Sequence, residues 1–188
     1  LFFVFVEGMG EHALAISNII RSIYVVLMVP IWGYASATNT LVSYTIGKGH
    51  PGVVMKVVWK MVHMSVFSVA LLVGINLIVP SFILGLYTNE SSLIRDALPV
   101  LNVINGSALF IAAGFIFFSA VSGTGKTQVA LVLESIALLV YVVYSYAMVE
   151  VFHTTVAGIW TAEFLYGGLL VALSFAYLKS GRWRDARM

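Results

Sequence analysis

Three ionisable side chains fall inside long apolar stretches of this chain: Arg21, Glu134 and Glu163. A charge surrounded by hydrocarbon is costly, so such residues face a bundle interior or a water-filled cavity and mark ion or solute pathways. Arg21 lies about eight residues, or about 12 Å, inside the first stretch, counted at the helical rise. Glu163 enters the last stretch from the same side to a similar depth, and Glu134 enters the fourth from the opposite side. The matched depths predict an Arg21–Glu163 ion pair, with Glu7 near the outer mouth as a competing partner. That pair either lines a pathway or holds the bundle together. Asn18 sits one turn before Arg21 on the same face, beside Ser17 and Ser22. Asn102 and Asn105 form a similar i, i+3 pair, and each asparagine could line a polar cavity or hydrogen-bond a neighbouring helix.

Other motifs carry less chemistry. Ser122 to Thr127 reads SGTGKT, but a phosphate-binding loop needs its first glycine five residues before the second, with a strand in front. Here that position is Ala120, inside an apolar stretch, so the segment is a tight turn carrying a lysine. Lys56, Lys60 and His63 share one helical face, and interfacial snorkelling accounts for them better than a lipid site. His12, His50, His63 and His153 are scattered near the ends of apolar stretches, not grouped at metal-ligand spacing. The chain has no cysteine, which excludes disulfide frameworks and thiolate sites. No metal or cofactor is expected.

The elements that hold these side chains follow from composition. Of the 188 residues, 61% are hydrophobic and 10% charged, with a mean hydropathy of +1.01. Soluble domains run at about half apolar and a quarter charged, so the solvent that fits this chain is lipid. Five long apolar stretches appear, over about 13–46, 53–79, 93–121, 129–149 and 156–178. Each reaches the roughly 20 residues that a helix needs to cross hydrocarbon. Pro30 and Gly33 would loosen or kink the first, which is also longer than a span requires. The predicted fold is all-α, a polytopic transmembrane bundle in one domain over 1–188. The apolar run from Leu1 to Val6 is too short to span and reads as the tail of a sixth helix whose beginning is missing.

Charge then orients the bundle. One set of connections with the C-terminus carries Lys48, Lys56, Lys60, Lys126, Lys179, Arg182, Arg184 and Arg187, with Asp185 as its one acid. The alternate set carries Glu7, Glu11, Glu90, Asp96 and Glu150 against Arg95. Basic residues concentrate on the cytoplasmic side, so loops 47–52 and 122–128 and the C-terminus are expected there. The net charge of +2 points to no nucleic-acid partner.

The order of several motifs resembles the MATE (multidrug and toxic compound extrusion) family. Val6 to Ile19, VEGMGEHALAISNI, is similar to the junction between that family's seventh and eighth helices. Pro30 to Gly33, PIWG, followed by LVSYTIGKG over Leu41 to Gly49, resembles its proline–glycine helix ending in LVGQ-x-G-x-G. LYTN at Leu86 to Asn89 looks like the lead-in to the tenth helix, and SAVSGTGKT at Ser119 to Thr127 like the turn after it. The resemblance covers nearly the whole chain. It implies the second six-helix lobe of a twelve-helix transporter of the bacterial inner membrane, facing a first lobe missing from this chain. It also implies alternating access, coupling to Na⁺ or H⁺ entry, and export of amphipathic organic cations. Glu7, Asn18, Arg21 and Glu163 are the candidates for that pathway, with Glu134, Asn102 and Asn105 secondary.

Some positions depart from the family pattern. Lys126 stands where many members carry an acid, and Ser43-Tyr44 replace Gly-Gln. The family's coupling carboxylates generally lie in the first and seventh helices and in some members the tenth. Asp96 is on the tenth but at its outer end. A lipid-linked oligosaccharide flippase is the alternative, favoured by cationic cavity residues, and a membrane-embedded enzyme ranks below both.

Overall fold

The computed structural model describes residues 2–184, and among them every regular element is helical. The elements are α1 (Phe2–Glu7), α2 (Glu11–Gly47), α3 (Val54–Ile78, entered through a 3-10 turn at Pro51–Val53), α4 (Pro80–Gly85), α5 (Ser91–Gly123), α6 (Thr127–Glu150), α7 (Val156–Trp160) and α8 (Ala162–Ser180). Five segments are long and apolar enough to cross a membrane: Glu11–Gly47, Pro51–Ile78, Ser91–Gly123, Thr127–Glu150 and Val156–Ser180. Hydrocarbon offers backbone groups no water, so each crossing segment satisfies them internally as a helix. The polytopic bundle expected from hydropathy is the fold. Leu1, and with it the start of the first apolar run, lies outside the described residues, as do Asp185 and Arg187 of the basic set.

Three local features differ from a reading by hydropathy alone. α2 continues through Pro30 and Gly33. Pro30 leaves the carbonyl of Val26 without its helical donor, but Leu27, Met28 and Ile31 around it are buried and hold the helix in place. Pro80 closes α3 but also occupies the first turn of the additional short helix α4, where a missing N–H costs nothing. The last span is broken at Thr161, whose hydroxyl donates to the Gly158 carbonyl at 2.6 Å. Tyr144 of α6 then donates to the Thr161 oxygen at 2.9 Å, and such back-bonding hydroxyls bend helices.

α5 is the centre of the bundle, packed most heavily against α8 and α2 and then against α3. Of the most apolar stretch of α5, 61% is buried, against 17% for α6, which leans mainly on α8 at the periphery. The α5–α8 crossing depends on two glycines. A Cβ at Gly114 would stand 2.9 Å from the Gly167 carbonyl oxygen, and one at Gly167 would stand 2.9 Å from the Ile111 nitrogen. Small residues let membrane helices approach to this distance, where dispersion supplies the attraction that lipid does not.

The turn at SGTGKT is likewise a packing device. Gly125 takes a φ of 80° between α5 and α6, and Ser43 of α2 donates to the Gly123 carbonyl at 2.8 Å. At this end Val42, Val54, Val121, Leu178 and Trp183 share one buried cluster, close to Lys48, Lys126 and Lys179. At the opposite end His12 and Asp96 meet at 2.9 Å, both half-exposed. The basic and acidic connections therefore occupy opposite ends of the bundle.

The glycine crossing yields a stability test. Gly167→Leu should lower stability by about 1–3 kcal/mol or more, as overpacking does. Gly168→Leu, whose Cβ meets nothing within 4 Å, should leave the melting temperature in detergent unchanged or raised. Equal melting temperatures for the two variants would contradict the close crossing.

Candidate functional site

Glu163 stands in the first turn of α8, directly after the break at Thr161, and is 8% exposed. Two hydroxyls from two other helices reach it. Tyr24 of α2 donates to Oε2 at 2.9 Å and Tyr141 of α6 donates to Oε1 at 3.0 Å. A buried carboxylate is tolerable when its oxygens accept hydrogen bonds. The break at Thr161 adds to this by placing Glu163 at a helix start, where the backbone dipole favours negative charge. The chain is bent at the residue where an acid needs a helix N-terminus.

An aromatic shell encloses the acid. Phe2 packs against Trp160 at 4.9 Å and against Tyr141 at 6.1 Å between centroids. Tyr24 meets Trp160 at 6.1 Å, and Tyr141 meets Tyr166 edge-on at 5.9 Å. Trp160 is fixed in turn by its indole N–H, which donates to the Ser17 hydroxyl at 3.2 Å. Tyr24, Leu138, Tyr141, Glu163 and Tyr166 line a cleft of about 270 Å³ between α2, α6 and α8. Electron-rich ring faces beside a carboxylate are suited to a cation, organic or otherwise.

The expected Arg21–Glu163 ion pair is not formed. Among the described residues the one acid–base contact within ion-pair distance is His12–Asp96. Arg21 is on the exposed side of α2 and lies 5.3 Å from the centroid of the Phe3 ring. It lines a separate open cleft of about 460 Å³ with Asn18, Ser22 and Val25. Depth along the helix matched the two charges, but rotation about the helix axis separates them, and Tyr24 three residues further on takes the place assigned to Arg21. Glu7 ends α1 in an exposed position. The four primary candidates are therefore not gathered at one point.

The secondary candidates divide in the same way. Glu134 accepts a hydrogen bond from Tyr166 at 2.6 Å. Asn105 is buried and accepts from Asn76 of α3 at 3.0 Å, which makes it a link between α3 and α5. Asn102, one turn earlier, is exposed. The residues that sequence reasoning passed over are Tyr24, Tyr141, Tyr166 and Asn76. A signal did exist for two of them: Tyr166 follows Glu163 by three residues and Tyr141 follows Glu134 by seven, which are same-face helical spacings. A larger cavity, about 640 Å³, lies at the acidic end beside His12, Arg95, Asp96 and Pro99.

Residues 1–147 match the family model described as MatE. No curated protein and no solved structure matches the chain.

The geometry separates the two possible partners of Glu163 experimentally. In double-mutant cycles of unfolding in detergent, Tyr24→Phe and Glu163→Gln should couple by about 0.5–3 kcal/mol. Arg21→Ala and Glu163→Gln should add within about 0.5 kcal/mol. The reverse ranking would restore the ion pair.

Proposed function

The chain belongs to the MatE family of membrane transporters, and on that footing we propose that it works as a cation-coupled antiporter exporting amphipathic organic cations, with Glu163 as the coupling residue. The observation that carries this reading is the buried carboxylate of Glu163, held by hydroxyls from α2 and α6 at the wall of an aromatic cleft. A carboxylate there can balance either an organic cation or an inbound H⁺ or Na⁺, but not both charges at once. Exclusive occupancy of one acid is the simplest physical basis for exchange. Because Tyr24 and Tyr141 belong to different helices, neutralising Glu163 alters what ties α2 and α6 to α8. Coupling requires such a difference, since an ion shifts a conformational equilibrium only by its unequal affinity for the two states.

We take residues 1–188 to be the second six-helix lobe of a twelve-helix transporter of the bacterial inner membrane. Two features support a facing lobe. The cleft at Glu163 is small beside drug-sized sites of about 300–1,000 Å³, so further walls would complete it. α2 also exposes Asn18, Arg21, Ser22, Ser36 and Thr40, and a polar stripe of this kind on a spanning helix belongs against protein or water, not lipid tails. By the same reasoning Asn18 and Arg21 line the pathway without touching Glu163. The cytoplasmic side is assigned to the basic end.

Arg21 favours a second reading. An exposed guanidinium in an open cleft with Asn18 and Ser22 suits a phosphate-bearing substrate, as in a lipid-linked oligosaccharide flippase.

Reconstituted into liposomes with its upstream sequence, the protein should move tetraphenylphosphonium against an imposed H⁺ or Na⁺ gradient. Glu163→Gln should abolish the driven movement. Transport by Glu163→Gln at the wild-type rate would refute the assignment of Glu163, and failure of both gradients to drive any cation would move the reading to the flippase. Sidedness has its own test, aided by the absence of cysteine from the chain. Lys126→Cys should resist a membrane-impermeant maleimide added to intact cells, while Glu90→Cys and Glu150→Cys should react. The opposite pattern would invert the topology.

A further inference from the structure

Away from the ends of the spanning segments, the described residues include two acids, Glu134 and Glu163, and both lie on the α6–α8 seam. The seam is laced reciprocally. Tyr166, one turn past Glu163 on α8, crosses to donate to Glu134 on α6 at 2.6 Å. Tyr141, two turns past Glu134 on α6, crosses to donate to Glu163 on α8 at 3.0 Å. The two tyrosine rings meet at 5.9 Å, and both line the cleft that holds Glu163.

The placement of the acids along the membrane normal gives this lacing a direction. Glu163 is seven residues past Val156, where its span begins, or about 10 Å from the acidic end at the helical rise. Glu134 is seven residues past Thr127, so it lies about 10 Å from the basic end. With hydrocarbon about 30 Å thick, roughly 10 Å separates the two carboxylates along the normal. Two phenol hydroxyls and the cleft of about 270 Å³ occupy that interval. At about 30 Å³ per water the cleft has room for several molecules. Leu138, one turn past Glu134 and one before Tyr141, is the apolar member of this wall.

We propose that Glu134 is a second proton-binding residue, and that Glu163, Tyr141, Tyr166 and Glu134 form a proton path along the α6–α8 seam toward the basic end. This names the coupling ion as H⁺ and rests on Glu163 being the coupling residue. A proton arriving from the acidic end binds the Glu163 carboxylate. It leaves as Glu163 returns to the anion, passing through tyrosine hydroxyls and cleft water to the Glu134 carboxylate, which releases it at the basic end. One proton enters and one leaves, and no bond other than O–H is made or broken. Among the described residues, few other titratable groups face the route. Tyr24 faces Glu163 from α2, and α5, packed on the other side of α8, carries charge only at Arg95 and Asp96 in its first turns.

The test uses the whole transporter in proteoliposomes with tetraphenylphosphonium as probe. Glu134→Gln and Tyr166→Phe should each slow movement driven by a pH gradient, on the order of tenfold or more, as loss of a positioned proton-transfer group does. Probe counterflow without a gradient should persist in Glu134→Gln, because Glu134 lies outside the lining of the cleft at Glu163. Tyr166→Phe keeps the ring and its packing, so it remains informative if Glu134→Gln fails to fold. Driven transport at the wild-type rate in both variants, with Glu163→Gln inactive, would overturn the path and leave the coupling role of Glu163 standing. An equal loss of driven transport and counterflow in Glu134→Gln would also overturn it, reducing Tyr166–Glu134 to a helix clamp. So would a wild-type protein driven by Na⁺ and indifferent to pH. Wild-type rates in the Glu163→Gln variant would instead remove the reading on which the path rests.

Discussion

Everything near Glu163 depends on how closely α8 can approach α5. Lipid tails are as apolar as leucine, so nothing resembling the hydrophobic effect presses two spanning helices together. What remains is dispersion, which falls away steeply once atoms separate by more than contact distance. Gly114 and Gly167 remove the side chains that would hold the backbones apart. α8 is thereby fixed on the most enclosed helix of the bundle, and α6, which has little other support, is carried on α8. The two helices that supply the intramembrane acids are thus positioned by a contact that contains no polar side chain.

A second constraint acts on that frame. A buried acid needs hydrogen-bond donors, and a helix surface provides them only where its register allows. The bend at Thr161 solves part of this by starting α8 one residue before Glu163. Tyr144 holds the bend from α6, while Tyr141, three residues earlier on the same helix, holds the acid. One face of α6 therefore fixes both the break in the last span and the charge that the break accommodates.

The extent to which this was legible in sequence depends on the physics behind each feature. Span number and rough limits follow from hydrocarbon thickness, which acts on every residue alike, so composition reveals them. The opposition of Lys48, Lys126 and Lys179 to Glu90 and Glu150 follows from the alternation of antiparallel helices. Depth was legible too: Arg21 and Glu163 do enter from the same side. Rotation was not. Whether Arg21 or Tyr24 faces α8 is decided by which side of α2 fits α5, and both sides of that helix are apolar enough to serve. Asn102 and Asn105 illustrate the same limit, since one turn of helix separates an exposed amide from one bonded to Asn76. The break at Thr161 was also hidden, because Gly158 and Thr161 are unremarkable in a spanning helix until Tyr144 is known to reach them.

The pair of tyrosines on Glu163 has a consequence that can be counted in hydrogens. As an anion the carboxylate is purely an acceptor, and its two oxygens take one hydrogen each from Tyr24 and Tyr141. A third hydrogen makes one of those oxygens a donor, and where that hydrogen points at the facing phenol, the phenol turns its own hydrogen elsewhere. The displaced hydroxyl has the cleft to turn into. The occupied and empty forms of Glu163 thus differ in the orientation of a phenol on α2 or on α6 before any helix moves, and a vibrational spectrum of the tyrosine C–O stretch would register the exchange as a change of hydrogen-bonding role.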